Sequence, residues 1–214
     1  MSTNLKISAA LVAAFVVGIA VLLGVNGAGG TEPGTTSGAT AVREDSHRLS
    51  TAEDGRVTLV EFLDFECESC RAAYPFVEQL REDYDGRVTF VARYFPMPGH
   101  ANAENAAVAV EAAAQQGRFE DMYHRMYETQ PEWGERQDSQ AALFRTFAVD
   151  LGLDMAAFDA AVADPATLER VLSDREDGLA LGVEGTPTFF LNGEKLEVGS
   201  TDEFIERIDA ALAG

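Results

Sequence analysis

Cys67 and Cys70 are the only cysteines in the chain, and they stand as Cys67-Glu68-Ser69-Cys70 between two segments of different periodicity. The run before them, Val57-Thr58-Leu59-Val60-Glu61-Phe62-Leu63, reads as a buried strand. After them Cys70, Ala73, Tyr74, Val77 and Leu80 recur at helical spacing, which predicts a helix to about Tyr84. Pro75 falls inside it and is expected to kink it, because it cannot donate to the Arg71 carbonyl. Asp85-Gly86 ends it. A strand that feeds a helix through this motif puts the first cysteine at the helix N-terminus. A partial positive charge of about +0.5 there favours thiolate over thiol.

The rest of the chain divides cleanly. Arg87 to Phe95 reads as a second strand, stopped by Pro96 and Pro98. From about 101 to 181 the pattern is helical throughout. Apolar stripes run over Ala103 to Ala114, Phe119 to Tyr127 and Phe144 to Leu151, and each reads as core. Asp154 is a cap candidate for a short helix ending near Asp164-Pro165, and Thr167 is expected to begin the next. Thr188 to Leu191 and Lys195 to Val198 flank Asn192-Gly193, a hairpin signal. Ser200, Thr201 and Asp202 offer a cap for a last helix facing inward through Phe204, Ile205, Ile208 and Leu212. The order is β-α-β, a helical block, a β-hairpin and a closing helix, with no internal repeat.

Ile7 to Val25 carries no charge and would span about 28 Å as a helix, close to one hydrocarbon core. Residues 1–25 are therefore expected to be a signal anchor, with Lys6 biasing the N-terminus to the cytoplasm and the rest outside it. The apolar core is longer than that of most cleaved signals, yet Gly27, Ala28 and Gly29 could offer a cleavage site, so a secreted form is the alternative. Residues 26–49 read as a flexible linker, its first part rich in Gly, Thr and Ser. Residues 50–214 read as one domain, long enough for a substantial core. The net charge of −20 repels nucleic acid and anionic headgroups, and neither is expected as a partner.

For the two cysteines three chemistries compete. A redox-active dithiol would have Cys67 as the exposed nucleophile and Cys70, one turn deeper, as the thiol that resolves a mixed disulfide. A static disulfide closing so short a loop would contribute little stability. Zinc needs four ligands, and His47, His100 and His124 are not paired at ligand spacing. There is no phosphate-cradling loop and no second CxxC, so no cofactor is implied.

Three motifs in order, the strand-CxxC-helix unit, Phe95-Pro96-Met97-Pro98-Gly99-His100 and Gly185-Thr186-Pro187-Thr188-Phe189-Phe190, resemble the DsbA-like thiol-disulfide oxidoreductases over about residues 50–214, in their membrane-tethered bacterial form. The resemblance implies an α/β thioredoxin fold with an inserted helical subdomain at about 101–181. It also implies a cis bond before Pro187 facing the cysteines, with the Thr186 backbone as an edge on which a substrate peptide can pair. Glu61 matches the family's buried carboxylate, a proton acceptor for the deeper thiol, although on spacing alone it could face solvent. His100 is expected in a loop beside the site or on a surface turn. Cysteine-containing secreted or envelope proteins would be the clients, and a membrane protein the redox partner. Where the strongly oxidising members carry Pro-His between the cysteines, this chain has Glu68-Ser69. A carboxylate beside Cys67 is expected to weaken the thiolate and make the protein a milder oxidant, a reductase or an isomerase. A non-enzymatic binding module is the reading from another class.

Overall fold

The computed structural model describes residues 39–214. The expected anchor at 7–25 lies outside them, and among the described residues no helix is long and apolar enough to cross a membrane. The elements in chain order are β1 (His47–Ser50), β2 (Thr58–Leu63), α1 (Glu68–Asp83), β3 (Thr89–Tyr94), α2 (Ala103–Ala114), α3 (Phe119–Trp133), α4 (Ala141–Asp150), α5 (Met155–Ala163), α6 (Pro165–Ala180), β4 (Thr188–Leu191), β5 (Glu194–Lys195) and α7 (Thr201–Ala213). They build one mixed sheet in the order β1-β3-β2-β4-β5, a thioredoxin-like α/β fold with five helices inserted between β3 and β4. β2 and β3 pair in parallel from Thr58↔Thr89 to Leu63↔Tyr94, joined by α1, while β4 runs antiparallel to β2.

Both faces of the sheet are covered, which is why β2 and β3 are nearly continuous apolar runs rather than alternating ones. Leu59 and Leu63 of β2 pack with Cys70, Val77 and Leu80 of α1 in the larger core cluster. The alternate residues Val60 and Phe62 pack with Val91, Phe95, Val183 and Phe190 on the other side. Glu61 shares the α1 face with Leu59 and Leu63 because strand side chains alternate. It is 6% exposed, so burial and not the solvent-facing alternative describes it.

Helix α1 runs unbroken through Pro75 to Asp83. At the end of α5 the structure moves the expected boundary. Asp164 closes α5 and caps α6, accepting from the Ala166 backbone N–H, with Pro165 as the first helical residue. Proline suits that place because its missing donor would be unpaired there anyway. Thr167 is therefore inside α6, not at its start. In the hairpin Asn192 and Gly193 both have positive φ, at 51° and 84°, and turn β4 into β5, which covers only Glu194–Lys195.

The sheet begins inside the 26–49 stretch read as linker. β1 is short and polar, too brief for alternation to show, and partners fix it. It pairs antiparallel with β3 (His47↔Ala92, Arg48↔Val91). Its His47 ring stacks on Phe119 with centroids 4.1 Å apart, and Nε2 lies 2.7 Å from Glu111 Oε2. Before β1, the fully buried Arg93 donates to the Thr40 and Ala41 carbonyls at 3.0 and 2.8 Å and pairs with Asp174 and Asp177. These contacts tie residues 40 and 41 into the folded domain.

Candidate redox-active site

Cys67 is the N-cap residue of α1, with extended backbone (φ −71°, ψ 121°), and Cys70 is wholly buried one turn on. No side chain caps the helix. The N-terminal N–H groups thus face the Cys67 sulfur, and those of Ser69 and Cys70 favour its thiolate. The Thr186–Pro187 peptide bond is cis and places Thr186 over this sulfur. The protonated Cys67 Sγ donates to the Thr186 carbonyl at 3.3 Å. The Thr186 side chain also favours the ionised sulfur, and its buried hydroxyl has no hydrogen-bond partner among the described residues.

The Cys67 pKa is lowered to about 5, first by a hydrogen bond from the Cys70 thiol and then by Thr186 and the helix N–H groups, against the opposing effect of burial. Cys70 moves the other way, raised by burial, by its bond to Cys67 and by the Glu61 and Cys67 charges. Glu68 is not among the leading causes of the Cys67 shift, which is set by hydrogen bonds to the sulfur, and its carboxyl acts on Glu135, whose pKa it raises.

Glu61 sits beneath the cysteines on β2, opposite Phe189 of β4 and Ala92 of β3. Burial raises its pKa to about 8, with further contributions from the Glu78 and Cys67 charges and no hydrogen bond among the described residues to offset them. It is a group that can exchange a proton near neutrality.

His100 makes no hydrogen bond to either sulfur among the described residues. Its Nδ1 lies 2.6 Å from Asp64 Oδ2, and it lines a recess of about 150 Å³ with Glu66, Glu68 and Glu135. Burial lowers its pKa, but the bond and charge of Asp64 outweigh that and raise it. Asp64 is the organising residue that sequence reasoning passed over as loop structure. Fully buried, it accepts from the backbone N–H of Glu66 at 2.8 Å and of Met97 at 2.9 Å, and so ties the Phe95–His100 turn to the loop before the cysteines. The three histidines take separate partners, Glu111 for His47, Asp64 for His100 and Tyr74 for His124, and no group of ligands able to hold a metal occurs among the described residues.

The insertion also reaches the site. Gln130 of α3 donates to the carbonyls of Phe65 at 2.7 Å and Cys67 at 3.0 Å. Glu66 Oε2 accepts from the Asn102 backbone N–H at the start of α2. Nothing local in the sequence signals these contacts, since each joins residues more than 30 positions apart. Beside Pro187 an open cleft of about 530 Å³ is lined by Phe76, Phe189, Leu196, Val198 and Phe204.

A family model described as thioredoxin matches residues 47–210, beginning where β1 begins. Among curated proteins, a Na(+)/H(+) antiporter, NhaA 1 of Mycolicibacterium vanbaalenii, is 34% identical over 195 residues, covering 89% of this chain but 30% of that protein. The chain spans under a third of the length of the curated relatives it first matches. Among solved structures, a thioredoxin-like oxidoreductase from Silicibacter pomeroyi superposes with a TM-score of 0.67 at 23% identity, covering 82% of this chain and 97% of that one. Alpha-DsbA1 of Wolbachia pipientis superposes with a TM-score of 0.68 at 18% identity, covering 80% and 93%. The chain belongs to the thioredoxin family, in the helix-inserted fold of the DsbA-like thiol-disulfide oxidoreductases.

Proposed function

We propose that this chain is an extracytoplasmic protein thiol-disulfide oxidoreductase that forms disulfides in secreted or envelope proteins, held to the cell membrane by residues 7–25. The observation that carries the reading is the placing of Cys67 at the helix N-terminus, 3.3 Å from the Thr186 carbonyl and one turn from the buried Cys70, an environment that lowers its pKa to about 5. A thiolate stabilised this far below its ordinary value favours the reduced dithiol and so makes the disulfide an oxidant. In the reaction, a client thiolate attacks Cys67 Sγ of the Cys67–Cys70 disulfide and Cys70 leaves, taking a proton from Glu61. A second client thiol then attacks the client sulfur of the mixed disulfide. Cys67 leaves readily because it is a low-pKa leaving group. The reduced pair is re-oxidised by a membrane redox partner.

Pro187 and the Thr186 backbone form the edge on which a client strand pairs, with the apolar cleft beside them receiving its side chains. A reductase or isomerase uses the same site with electrons flowing the other way, and the low Cys67 pKa favours oxidation over it. The antiporter names of the longer relatives describe those proteins, and no transport is proposed for this chain. The test is trapping. Cys70→Ala is expected to accumulate mixed disulfides between Cys67 and envelope proteins on non-reducing gels. Full function of Cys67→Ser in the cell would instead establish a non-enzymatic binding module.

A further inference from the structure

Helix α3 buries one stripe of Met122, Tyr123, Met126, Tyr127, Gln130 and Trp133, and Gln130 is the amide on it. Its side chain lies in the interior, with the residue 3% exposed. An aliphatic side chain would fill the place without the cost of burying an amide. Gln130 offsets that cost with both of its N–H bonds. Nε2 donates to the Phe65 carbonyl at 2.7 Å and to the Cys67 carbonyl at 3.0 Å. The Phe65 ring also packs on Tyr127 with centroids 5.2 Å apart, so α3 holds this residue by side chain and backbone together.

One nitrogen that bridges the carbonyls of residues 65 and 67 fixes the torsions of the two residues between them, Glu66 and Cys67. The Cys67 carbonyl also accepts the Arg71 backbone N–H at 3.1 Å, the first bond of α1. Both of its lone pairs are thus taken, one by the helix and one by the insertion. With its backbone held at φ −71° and ψ 121°, Cys67 directs its sulfur to the start of α1 and to Thr186, whose carbonyl is 3.3 Å away. The other side-chain ties on this loop, Asp64 with Met97 and His100 and Glu66 with Asn102, stop short of Cys67. Among the described residues, Gln130 is the side chain that reaches the Cys67 backbone.

We infer that Gln130 is a positioning residue for Cys67: through it the helical insertion holds the sulfur against the α1 N-terminus and Thr186, and so sets how strongly the reduced pair is favoured over the disulfide. The inference rests on the thiol-disulfide reading of Cys67 and Cys70. Hydrogen bonds to a thiolate depend on distance and angle, and a loop freed to turn loses part of them. The loss falls on the reduced form alone, because the disulfide carries no charge to stabilise. A looser loop therefore makes the pair easier to oxidise and a weaker oxidant of its clients. The titratable groups around Cys67 are Cys70 of α1, Glu61 of β2 and His100 after β3. Gln130 bonds to none of them, so its influence runs through the backbone.

The test uses the full chain and two variants. Gln130→Met keeps the length of the side chain and removes both donors, while Gln130→Asn keeps the amide but is one methylene too short to span both carbonyls. Each is measured for the Cys67 alkylation midpoint, the denaturation midpoint and the equilibrium with glutathione. In that equilibrium the Cys67–Cys70 disulfide and two glutathione thiols stand against the dithiol and glutathione disulfide. In Gln130→Met the ionisation midpoint is expected to rise by about one pH unit and the constant for reduction of the pair to fall about tenfold, which is about 30 mV. Gln130→Asn is expected to move both in the same direction by less, and decides the matter if Gln130→Met does not fold. Gly178→Ala, packed on the other face of the sheet, is the control for lost stability alone and is expected to keep the wild-type ionisation and equilibrium. Wild-type values in both Gln130 variants, or an equal shift in Gly178→Ala, would overturn the inference and leave Gln130 a satisfied core amide. A wild-type Cys67 midpoint near 9, or no Cys67–Cys70 disulfide in these buffers, would instead overturn the thiol-disulfide reading itself.

Discussion

Two residues set opposite pH slopes on the stability of the reduced protein. Glu61 has a folded pKa of about 8 against 4.5 in a solvated chain. Folding therefore holds a proton that the unfolded chain releases. The stability this contributes is full below about pH 4.5 and is lost as pH rises through 8. Cys67 has a folded pKa of about 5 against 9.0, so its contribution is full above pH 9 and is lost as pH falls through 5. Glu61→Gln removes the first slope alone. Urea unfolding at pH 5 and pH 8 should show the variant gaining on the wild type by on the order of 3 kcal/mol over that interval, the size expected for a fully buried carboxyl. An equal gap at both pH values would mean that Glu61 ionises normally. Alkylation of Cys67 should follow an ionisation midpoint near pH 5 while Cys70 stays protected, and a midpoint near 9 would remove the basis for an oxidant. Both cysteines were legible because the motif is local to a strand and one turn of helix, whereas the burial of Glu61 was not, since its spacing alone also allowed a solvent-facing side chain. Nor was the strength of the thiolate. It depends on Thr186, which lies 119 positions away in the chain yet 3.3 Å from the sulfur.

Among the elements, the helical insertion and the sheet meet at contacts that periodicity cannot reveal. Long amphipathic stripes announce α2 to α4, and Asn192-Gly193 announces the hairpin, because these signals are short-range. β1 is four residues without alternation, and its place is dictated by β3, Glu111 and Phe119. Gln130 is a polar residue on a buried stripe whose purpose appears only once α3 lies over the cysteine loop. Gln130→Ala leaves the Phe65 carbonyl unpaired, while the Cys67 carbonyl keeps the Arg71 backbone N–H, and should cost about 1–3 kcal/mol, read as a fall in the denaturant midpoint. Unchanged stability would mean that water replaces the amide without loss. Gly178 lets α6 approach the second face of the sheet. A Cβ there would lie 2.7 Å from Phe95 Cδ2 and 3.0 Å from Phe62 Cδ1. Gly178→Ala is expected to destabilise by about 1–3 kcal/mol through overpacking, despite alanine's better helix propensity. A stabilised variant would show that the two rings can shift aside.

At the scale of the whole molecule, one sheet carries the reactive pair at the end of its central strand, and the insertion seals the pair's buried side. Cys67 is left partly exposed while Cys70 and Glu61 are enclosed, which in the proposed function separates the sulfur that would meet a client from the buried carboxyl. The net charge of −20 disfavours nucleic acid, and under the proposed function a client would be recognised by backbone pairing and the cleft beside Pro187. The direction of electron flow then follows from how strongly this enclosure stabilises the reduced pair. It is read most directly by equilibrating the full chain in glutathione redox buffers and alkylating its thiols. A potential of about −120 to −180 mV is expected for an oxidant with so acidic a nucleophile. A value of about −250 mV or lower would contradict the proposed function and mean that the protein reduces its clients.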